Sequence, residues 1–245
     1  MTSVMKTNIN IWYYFAGLVS GLFLLTACGS DQKPETTEAG LNYEQVKITA
    51  TYDNCKAGAD NCTFYTADFP EFYGFEGANV LNDFVLHDFF EVENREELRS
   101  EANAFISTYE QNMNPGEEEK PAWYKFYQVN AELLYDSVVQ LSMNVEEFSG
   151  GAHGNTAEYY RNFNLNGELL EFDVFLPGLN EEEVAEKLMQ AYKEKYPEGL
   201  NMLFEESIEP TANFLPVENG VVFVYNPYDI APYSAGVIKL RLNRM

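Results

Sequence analysis

The sequence predicts an α+β fold, an antiparallel sheet or sheets with helices packed on one face. Apolar and polar residues alternate in several stretches, such as Val46 to Asp53, and this period is that of a half-buried strand. Other stretches, such as Leu98 to Tyr109, have apolar residues three or four positions apart, which is typical of a helix. The chain is also 46% hydrophobic and 15% aromatic, so it can bury a core.

The first predicted elements are a hairpin and two helices. A strand begins at Glu44, and its partner is expected at Thr63 to Thr66, beyond a short turn. The first helix is expected around Leu81 to Phe89. Asn94, followed three residues later by Glu97, is typical of a helix cap and predicts a second helix that ends before Asn114-Pro115-Gly116.

The rest of the chain is rich in strands. Alternation predicts three consecutive strands, which short links should pair in antiparallel fashion, and Asn166-Gly167 predicts a tight turn after them. Asn180 and three glutamates predict the start of one further helix, which Pro197 ends. The predicted strands of this half are Trp123 to Leu133, Val139 to Val145, Tyr159 to Leu165, Val221 to Tyr225 and Val237 to Leu242.

The N-terminus has the pattern of a bacterial lipoprotein leader. Lys6 precedes an apolar stretch, and Leu25-Thr26-Ala27-Cys28 has the order of a lipobox. We therefore expect a signal peptide at 1–27, an acyl lipid including palmitate on Cys28, and a flexible tether at 28–43. This places the domain outside the cytoplasm, on a bacterial membrane, on the periplasmic or surface side. The alternative is an ordinary membrane span, which needs about 20 apolar residues, somewhat more than this run offers.

Two further cysteines, Cys55 and Cys62, flank a short polar segment. Lipidation of Cys28 leaves them as an even pair in an oxidising compartment, which favours a local disulfide. Two free or metal-binding thiols are the alternative, but no histidine lies near them in the sequence. A loop this small should fix a turn without carrying the fold.

The charge is strongly acidic, with 15 Lys+Arg against 39 Asp+Glu and a net charge of −24. Such a surface repels nucleic acid, which excludes it as a partner, and attracts basic proteins and cations. The alternative explanation of the charge is solubility alone.

A glycine-rich loop, Ser149 to Asn155, contains the first candidate binding residue, His153. Glycines at this density predict a tight loop with positive φ. A histidine can serve as a metal ligand or a general base, but either role needs convergent partners, and the motifs that supply them do not occur in this sequence. We therefore assign no catalytic residue, metal or cofactor, and a structural role for His153 is the alternative to binding.

The second candidate segment, Tyr225 to Gly236, contains two prolines and three tyrosines. The prolines prevent regular strand pairing, so we expect an ordered loop between the last two strands. Tyr228, Asp229 and Tyr233 are the candidate binding residues, because tyrosine rings are enriched in protein and glycan contacts. The alternative is that the rings cap the core, most of all Tyr225 and Tyr228.

Both segments resemble one known family. The loop Ser149 to Gly154, the run Phe163-Asn164-Leu165 and the segment Pro227 to Gly236 are similar to a C-terminal domain of unknown function. It is shared by RsiV-like lysozyme-sensing anti-sigma factors and PdaC-like peptidoglycan deacetylases. The resemblance covers about Val145 to Leu242, and the preceding half resembles, more weakly, the module that commonly precedes that domain.

The resemblance implies an N-terminal α+β module at 44–148 and a C-terminal domain at 149–245. In the sensor members this region binds lysozyme, a basic protein, which an acidic surface would suit. We expect here neither the cytoplasmic sigma-binding segment of the sensors nor the catalytic domain of the deacetylases. The resemblance therefore implies binding and no activity.

Three hypotheses follow for the function. The first is a lipid-anchored binding protein of the cell envelope that recognises a basic protein such as lysozyme or a wall glycan such as peptidoglycan. The second is a wall- or glycan-directed hydrolase that uses His153 and nearby carboxylates. The third is an envelope scaffold or assembly lipoprotein.

Overall fold

The computed structural model describes residues 41–113 and 121–244, and within them eight strands and three α-helices follow one another. The strands are β1 (Tyr43–Thr51), β2 (Phe64–Phe72), β3 (Tyr124–Leu134), β4 (Val138–Phe148), β5 (Asn155–Asn164), β6 (Phe214–Val217), β7 (Gly220–Tyr225) and β8 (Ile238–Asn243). The helices are α1 (Ala78–Phe84), α2 (Arg95–Gln111) and α3 (Glu181–Lys195).

The first five strands form one sheet in the order β1-β2-β3-β4-β5. The predicted hairpin of β1 and β2 and the antiparallel pairing of β3, β4 and β5 are confirmed. One pair, β2 and β3, is parallel. The reason is the connection between them, because α1 and α2 return the chain to the same end of the sheet before β3 begins.

The two helices of this crossover follow the sequence pattern closely. The predicted helix around Leu81 is α1, which continues as a π-helical turn over Val85–Phe89. The side chain of Asn94 caps α2 by accepting hydrogen bonds from the backbone N–H groups of Glu96 and Glu97, as predicted. The carboxylate of Glu97 accepts from the N–H of Glu93, one residue before the cap.

The first hydrophobic core lies between these helices and one face of the five-stranded sheet. Leu81 of α1 and Leu98 of α2 are fully buried against inward residues of the strands, such as Ala67, Val129 and Leu141. Burial of this alternating set fixes the register, because a slip of one residue would turn the polar face inward. The α+β fold with helices on one face of this sheet is therefore as predicted.

The second core lies between a three-stranded antiparallel sheet, in the order β6-β7-β8, and α3. Asn180 and Glu183 form a complete capping box at the start of α3, and Lys193 and Lys195 lie in its last turn. The predicted turn at Asn166-Gly167 is also present, and Gly167 there has a positive φ of 86°. After this turn the chain forms a single isolated bridge with β5, Phe163 to Leu169.

Buried asparagines join β5 to the second sheet. Asn213, directly before β6, accepts a hydrogen bond from the N–H of Tyr160 and donates to the carbonyls of Glu158 and Val224. Asn226, directly after β7, exchanges hydrogen bonds with the backbone of Glu158, and Asn162 donates to Phe214. The side-chain amides thus replace the backbone pairing that β5 lacks on this edge.

The two sheets do not coincide with the expected halves at 44–148 and 149–245. Residue 149 lies in the link between β4 and β5, which pair from Val138↔Asn164 to Glu147↔Asn155. The chain passes from the first sheet to the second only after β5. The loop around His153 therefore belongs to the first sheet, whereas the tyrosine-rich loop belongs to the second.

Two covalent modifications were predicted, and only the disulfide lies within the described residues. The disulfide between Cys55 and Cys62 is confirmed, with Cα atoms 5.6 Å apart, and it closes the turn between β1 and β2. Cys28, the leader and residues 28–40 of the expected tether lie outside the described residues. The expected end of the tether at residue 43 is wrong, because Leu41 is already buried in the first core and Tyr43 begins β1. Within the described ranges, none of the helices combines the length and the apolar character that crossing a bilayer requires.

Candidate functional site

The structure brings the two candidate segments together. The imidazole of His153 stacks on the ring of Tyr233, with ring centroids 3.9 Å apart and an angle of 19° between the planes. The hydroxyl of Tyr233 donates to the carbonyl of Gly154 at 2.8 Å, and Nδ1 of His153 lies 2.9 Å from the same oxygen. Because a carbonyl only accepts, Nδ1 carries the proton in this bond, and Nε2 is an acceptor when the ring is neutral.

The backbone of the glycine-rich loop explains how His153 reaches this position. Gly150 and Gly151 have φ of 94° and 101°, a left-handed conformation that side chains disfavour. Gly154 is needed for a different reason, since a Cβ there would lie 2.9 Å from the carbonyl oxygen of Glu147. The predicted tight loop is thus confirmed, and its shape holds His153 over the second loop.

The tyrosine-rich loop is ordered by its own backbone, as predicted. The carboxylate of Asp229 accepts a hydrogen bond from the N–H of Asn226 at 2.7 Å, and Tyr228 donates its N–H to the carbonyl of Ala231 at 3.0 Å. Tyr228 adopts a φ of 74°, which holds its side chain outward, and the residue is 58% exposed. Its ring centroid lies 6.1 Å from that of Tyr233.

The three tyrosines of this segment have different roles. Tyr225 caps the core, as the alternative interpretation held for it, because it is buried and donates its hydroxyl to the carbonyl of Glu209. Burial also raises the pKa of Tyr225 well above its ordinary value. Tyr228 does not cap the core and presents its ring to solvent, whereas Tyr233 is half-buried.

A shallow depression of about 290 Å³ lies between the two loops, with His153, Glu147, Pro227 and Tyr228 at its wall. Glu147 and Asn155 also line a larger cleft of about 510 Å³. The two spaces are therefore neighbours along the end of β4 and the start of β5. We call the two spaces together the helix-side cleft. Its larger part lies on the face of the first sheet that carries α1 and α2, and its smaller part lies between the glycine-rich and tyrosine-rich loops.

Four carboxylates line the larger part of the helix-side cleft. Asp88 belongs to the π-helical turn, Glu91 follows it with a positive φ of 56°, Glu101 lies on α2 and Glu147 lies on β4. Their charges are opposed by Lys125 and Arg161, so acidic groups outnumber basic ones two to one. The cleft therefore favours a cationic ligand.

Tyrosine hydroxyls lie among these carboxylates. Tyr127 donates its hydroxyl to Oε1 of Glu147 at 2.9 Å. Burial, together with Glu147, raises the pKa of Tyr127 well above its ordinary value, and burial with Glu101 and Glu147 does the same for Tyr65. Burial, Asp229 and Glu147 likewise raise the pKa of Tyr159. These phenols stay neutral at physiological pH, and the hydroxyl of Tyr127 serves as a hydrogen-bond donor.

The two cations of the cleft are already in contact with protein groups. Nζ of Lys125 lies 5.8 Å from the ring centroid of Phe105 and 6.0 Å from that of Tyr127. Arg161 donates to the carbonyls of Tyr160 and Ala212. Burial lowers the pKa of Arg161 from its ordinary value, against the opposite effect of Glu171 and Asp88, and the guanidinium remains charged.

The geometry also bears on the chemistry that His153 can perform. Glu147 shares the depression with His153, but one of its oxygens accepts the hydroxyl of Tyr127. Glu146 lies on the opposite face of the sheet. Among residues 41–113 and 121–244, no group of three histidine, cysteine or acidic side chains is placed to hold a metal ion. His87 is exposed near Glu93, 3.8 Å away, and has no role in this site.

Sequence analysis found the two loops but missed the residues that position them. Asn162, Asn213 and Asn226 are buried polar side chains that tie β5 to β6 and β7. One signal exists in the sequence for Asn213 and Asn226, since each stands beside a strongly apolar strand run. The wall of carboxylates from the helices was also missed, because its members are far apart along the chain.

Comparisons with known proteins agree with the fold. Residues 172–244, less than half of the chain, match the model of a family described as a protein of unknown function, DUF3298, so this segment carries a DUF3298 domain. The match begins after the glycine-rich loop. A comparison with curated proteins gave no match.

Two solved structures of DUF3298 family proteins resemble the whole described fold. One, from Bacteroides fragilis, is 21% identical, with a TM-score of 0.64, and the alignment covers 84% of this chain and 91% of that chain. The other, from Pseudomonas aeruginosa, is 19% identical, with a TM-score of 0.56, covering 83% and 90%. At these identities the likeness establishes the fold.

Proposed function

We propose that this protein is a lipid-anchored binding protein of the bacterial cell envelope that recognises a basic protein, such as lysozyme, through the helix-side cleft. The observation that carries the proposal is a cleft lined by four carboxylates that shares Glu147 with the depression beside the exposed ring of Tyr228. The lipobox at Leu25 to Cys28 supports the anchor, and the resemblance to lysozyme-sensing proteins supports the choice of partner.

The chemistry of the cleft fits the side chains of a basic protein. A lysine or arginine entering it would meet the carboxylates of Asp88, Glu91 and Glu101 and the faces of tyrosine rings, which attract cations. The net charge of −24 adds long-range attraction that speeds the encounter. At the edge, Tyr228 offers a flat amphipathic ring of the kind enriched at the centre of interfaces.

Titration calorimetry of the full chain with hen egg-white lysozyme tests the partner. Replacing Glu91 and Glu101 together by glutamine should weaken binding by about tenfold, because two cleft charges are lost without a change in side-chain size. The matched control is the pair Glu182→Gln and Glu186→Gln, which removes the same charge from exposed positions on α3. If the α3 pair weakens binding as much as the cleft pair, only net charge is being recognised and the cleft has no special role.

Salt supplies a second measurement on the same complex. Salt screens the attraction between exposed charges, because the Debye length shrinks from about 10 Å at 0.1 M salt to about 3 Å at 1 M. The affinity of the wild type should therefore fall steeply as salt rises, and the slope should be smaller for the cleft variant. No binding of lysozyme at low salt would remove this proposal.

The anchor is tested separately. Mass spectrometry of the protein purified from bacterial membranes should show a chain that begins at residue 28 with an acyl-bearing Cys28. Cys28→Ser should leave the leader attached and abolish lipid labelling. A wild-type chain that keeps Met1, or an unmodified Cys28, would refute the anchor while leaving the partner open to its own test.

A further inference from the structure

A second cleft, of about 530 Å³, lies on the opposite face of the five-stranded sheet, beneath the disulfide-closed turn. We call it the far-side cleft. Its floor comes from β2, β3 and β4 and its roof from Ala57 to Asp60 of the turn. The residues that line it differ from those assigned to the proposed protein partner.

Three aromatic rings lie in a row that the strand register dictates, and two of them, Phe64 and Tyr124, line the far-side cleft. Phe64 of β2 is opposite Tyr124 of β3, and Tyr124 is opposite Phe148 of β4. The rings of Phe64 and Tyr124 are nearly parallel, with centroids 6.0 Å apart and an angle of 18°. The Phe148 centroid follows at 6.1 Å from that of Tyr124. Phe126 is the next residue of β3 on this face, and its ring also lines the cleft.

The rings of Phe64, Tyr124 and Phe126 are half-buried beneath the turn. Polar side chains surround them with both signs of charge. Lys47 projects from β1, 58% exposed and 3.9 Å from Asp68, while Asp60 comes from the turn and Glu146 from β4. The cleft thus offers one cationic donor, two anionic acceptors and several flat apolar surfaces.

We infer that the far-side cleft binds a neutral saccharide. A pyranose ring has C–H groups on its faces, which suit the electron-rich faces of aromatic rings, and hydroxyl groups at its rim, which both donate and accept. Such a ligand can satisfy Lys47, Asp60 and Glu146 together. A small pocket with mainly apolar walls and a few converging polar groups is the usual form of such a site.

Other ligand classes fit these side chains less well. An acyl chain would bury the charges of Asp60, Glu146 and Lys47 without hydrogen bonds, which is costly. An anionic ligand would meet two carboxylates at the cleft and the net charge of −24 beyond it. A cation would meet Lys47, and it is better served by the helix-side cleft with its four carboxylates.

The disulfide gives the roof a fixed position. Cys62 is 2% exposed and lines the cleft, and the bond to Cys55 closes a loop with a sequence separation of 7 residues. Within this loop the N–H of Ala59 bonds to the carbonyl of Lys56 and that of Cys62 to the carbonyl of Ala59. A roof held in this way reduces the entropy lost when a ligand is enclosed.

Calorimetry of the full chain with two neutral sugars, chitotetraose and cellotetraose, tests the inference. At least one should bind, and Phe126→Ala should weaken that binding by about tenfold or more, because one of the ring faces is lost. Phe126→Tyr keeps the ring and should retain affinity within about threefold. Tyr228→Ala, which removes an exposed ring from the helix-side cleft, is the matched control and should leave sugar binding unchanged.

Circular dichroism establishes that each variant is folded, and Lys47→Ala at an exposed position gives a second probe should Phe126→Ala fail to fold. The inference is overturned if the folded wild type binds neither sugar, if the Phe126→Ala and Lys47→Ala variants bind as tightly as wild type, or if laurate displaces the sugars from the cleft. Sugar binding without lysozyme binding would refute only the proposed protein partner, and the reverse result would refute only this inference.

Discussion

The two faces of the first sheet are built from the same strands yet present different chemistry. On the helix side, the strands place Lys125 and Glu147 beside acidic residues of the crossover helices. On the far side, the adjacent residues Tyr124, Phe126 and Glu146 face a disulfide-closed turn. Because side chains alternate along a strand, one run of sequence can furnish two sites with different ligands.

The elements that wall the two clefts also differ. Helices and a π-helical turn bring carboxylates to one face, while a covalent bond holds a short loop over the other. The helix-side cleft continues onto a loop of the second sheet, through His153 and Tyr228, whereas the far-side cleft is made only from the first sheet. Removing one of the asparagine hydrogen bonds that join β5 to the second sheet should therefore affect ligand binding at the two clefts unequally.

The largest expected effect comes from Asn213→Ala. Asn213 satisfies the N–H of Tyr160 and the carbonyls of Glu158 and Val224, and its loss leaves buried backbone groups without partners. We expect the free energy of unfolding to fall by about 3 kcal/mol, measured by urea denaturation. Lysozyme binding should weaken more than sugar binding, because the loop with Tyr228 depends on the second sheet.

The control for this variant is Asn130→Ala, which removes an exposed asparagine from β3 and should change the stability little. Equal loss of binding at both clefts in folded Asn213→Ala would show that the hydrogen bonds between β5 and the second sheet affect both clefts. The two faces would then not be independent.

A smaller and one-sided effect is expected when the disulfide is removed. Replacing Cys55 and Cys62 by serine frees a short loop, and chain entropy predicts a loss of about 2 kcal/mol in the free energy of unfolding. Sugar affinity should fall because the roof of the far-side cleft is no longer held. Lysozyme binding, measured on the same preparation, should be retained.

The same double variant can contradict the proposal that the turn acts only on the far-side cleft. If sugar affinity is unchanged, the roof contributes nothing and the rings of the floor carry all of the binding. If lysozyme affinity falls instead, the turn influences the helix side, although it lies across the sheet from that cleft.

Local patterns were predictable from sequence where neighbouring residues determine the structure. The caps at Asn94 and Asn180 and the glycine-rich loop before β5 follow from short-range hydrogen bonding and backbone sterics, and all are present. The disulfide was predictable for a similar reason, because its cysteines flank a turn.

Long-range pairing was not predictable in the same way. His153 and Tyr233 were both singled out, but their stacking depends on how the second sheet docks on β5, and that depends on buried asparagines whose partners lie tens of residues away. The parallel pairing of β2 with β3 has the same origin, since it depends on the path of two helices. The far-side row of rings requires the register of three strands, which no local pattern specifies.

The smallest expected effect concerns alkaline pH and the phenols of the helix side. Burial and neighbouring carboxylates raise the pKa of Tyr65 and Tyr127 above the ordinary value of about 10, so the folded protein keeps both protons while the unfolded chain loses them. Stability from these groups is thus fully present below pH 10 and falls as pH rises above it. Each phenol contributes at most about 1.4 kcal/mol per pH unit, and less where solvent screens it. Tyr127→Phe should therefore reduce the loss of stability between about pH 10 and 11.5, measured by urea denaturation at a series of pH values. A slope unchanged by this variant would mean that Tyr127 ionises in the folded protein as it does in the unfolded chain, and that burial and Glu147 do not hold its proton.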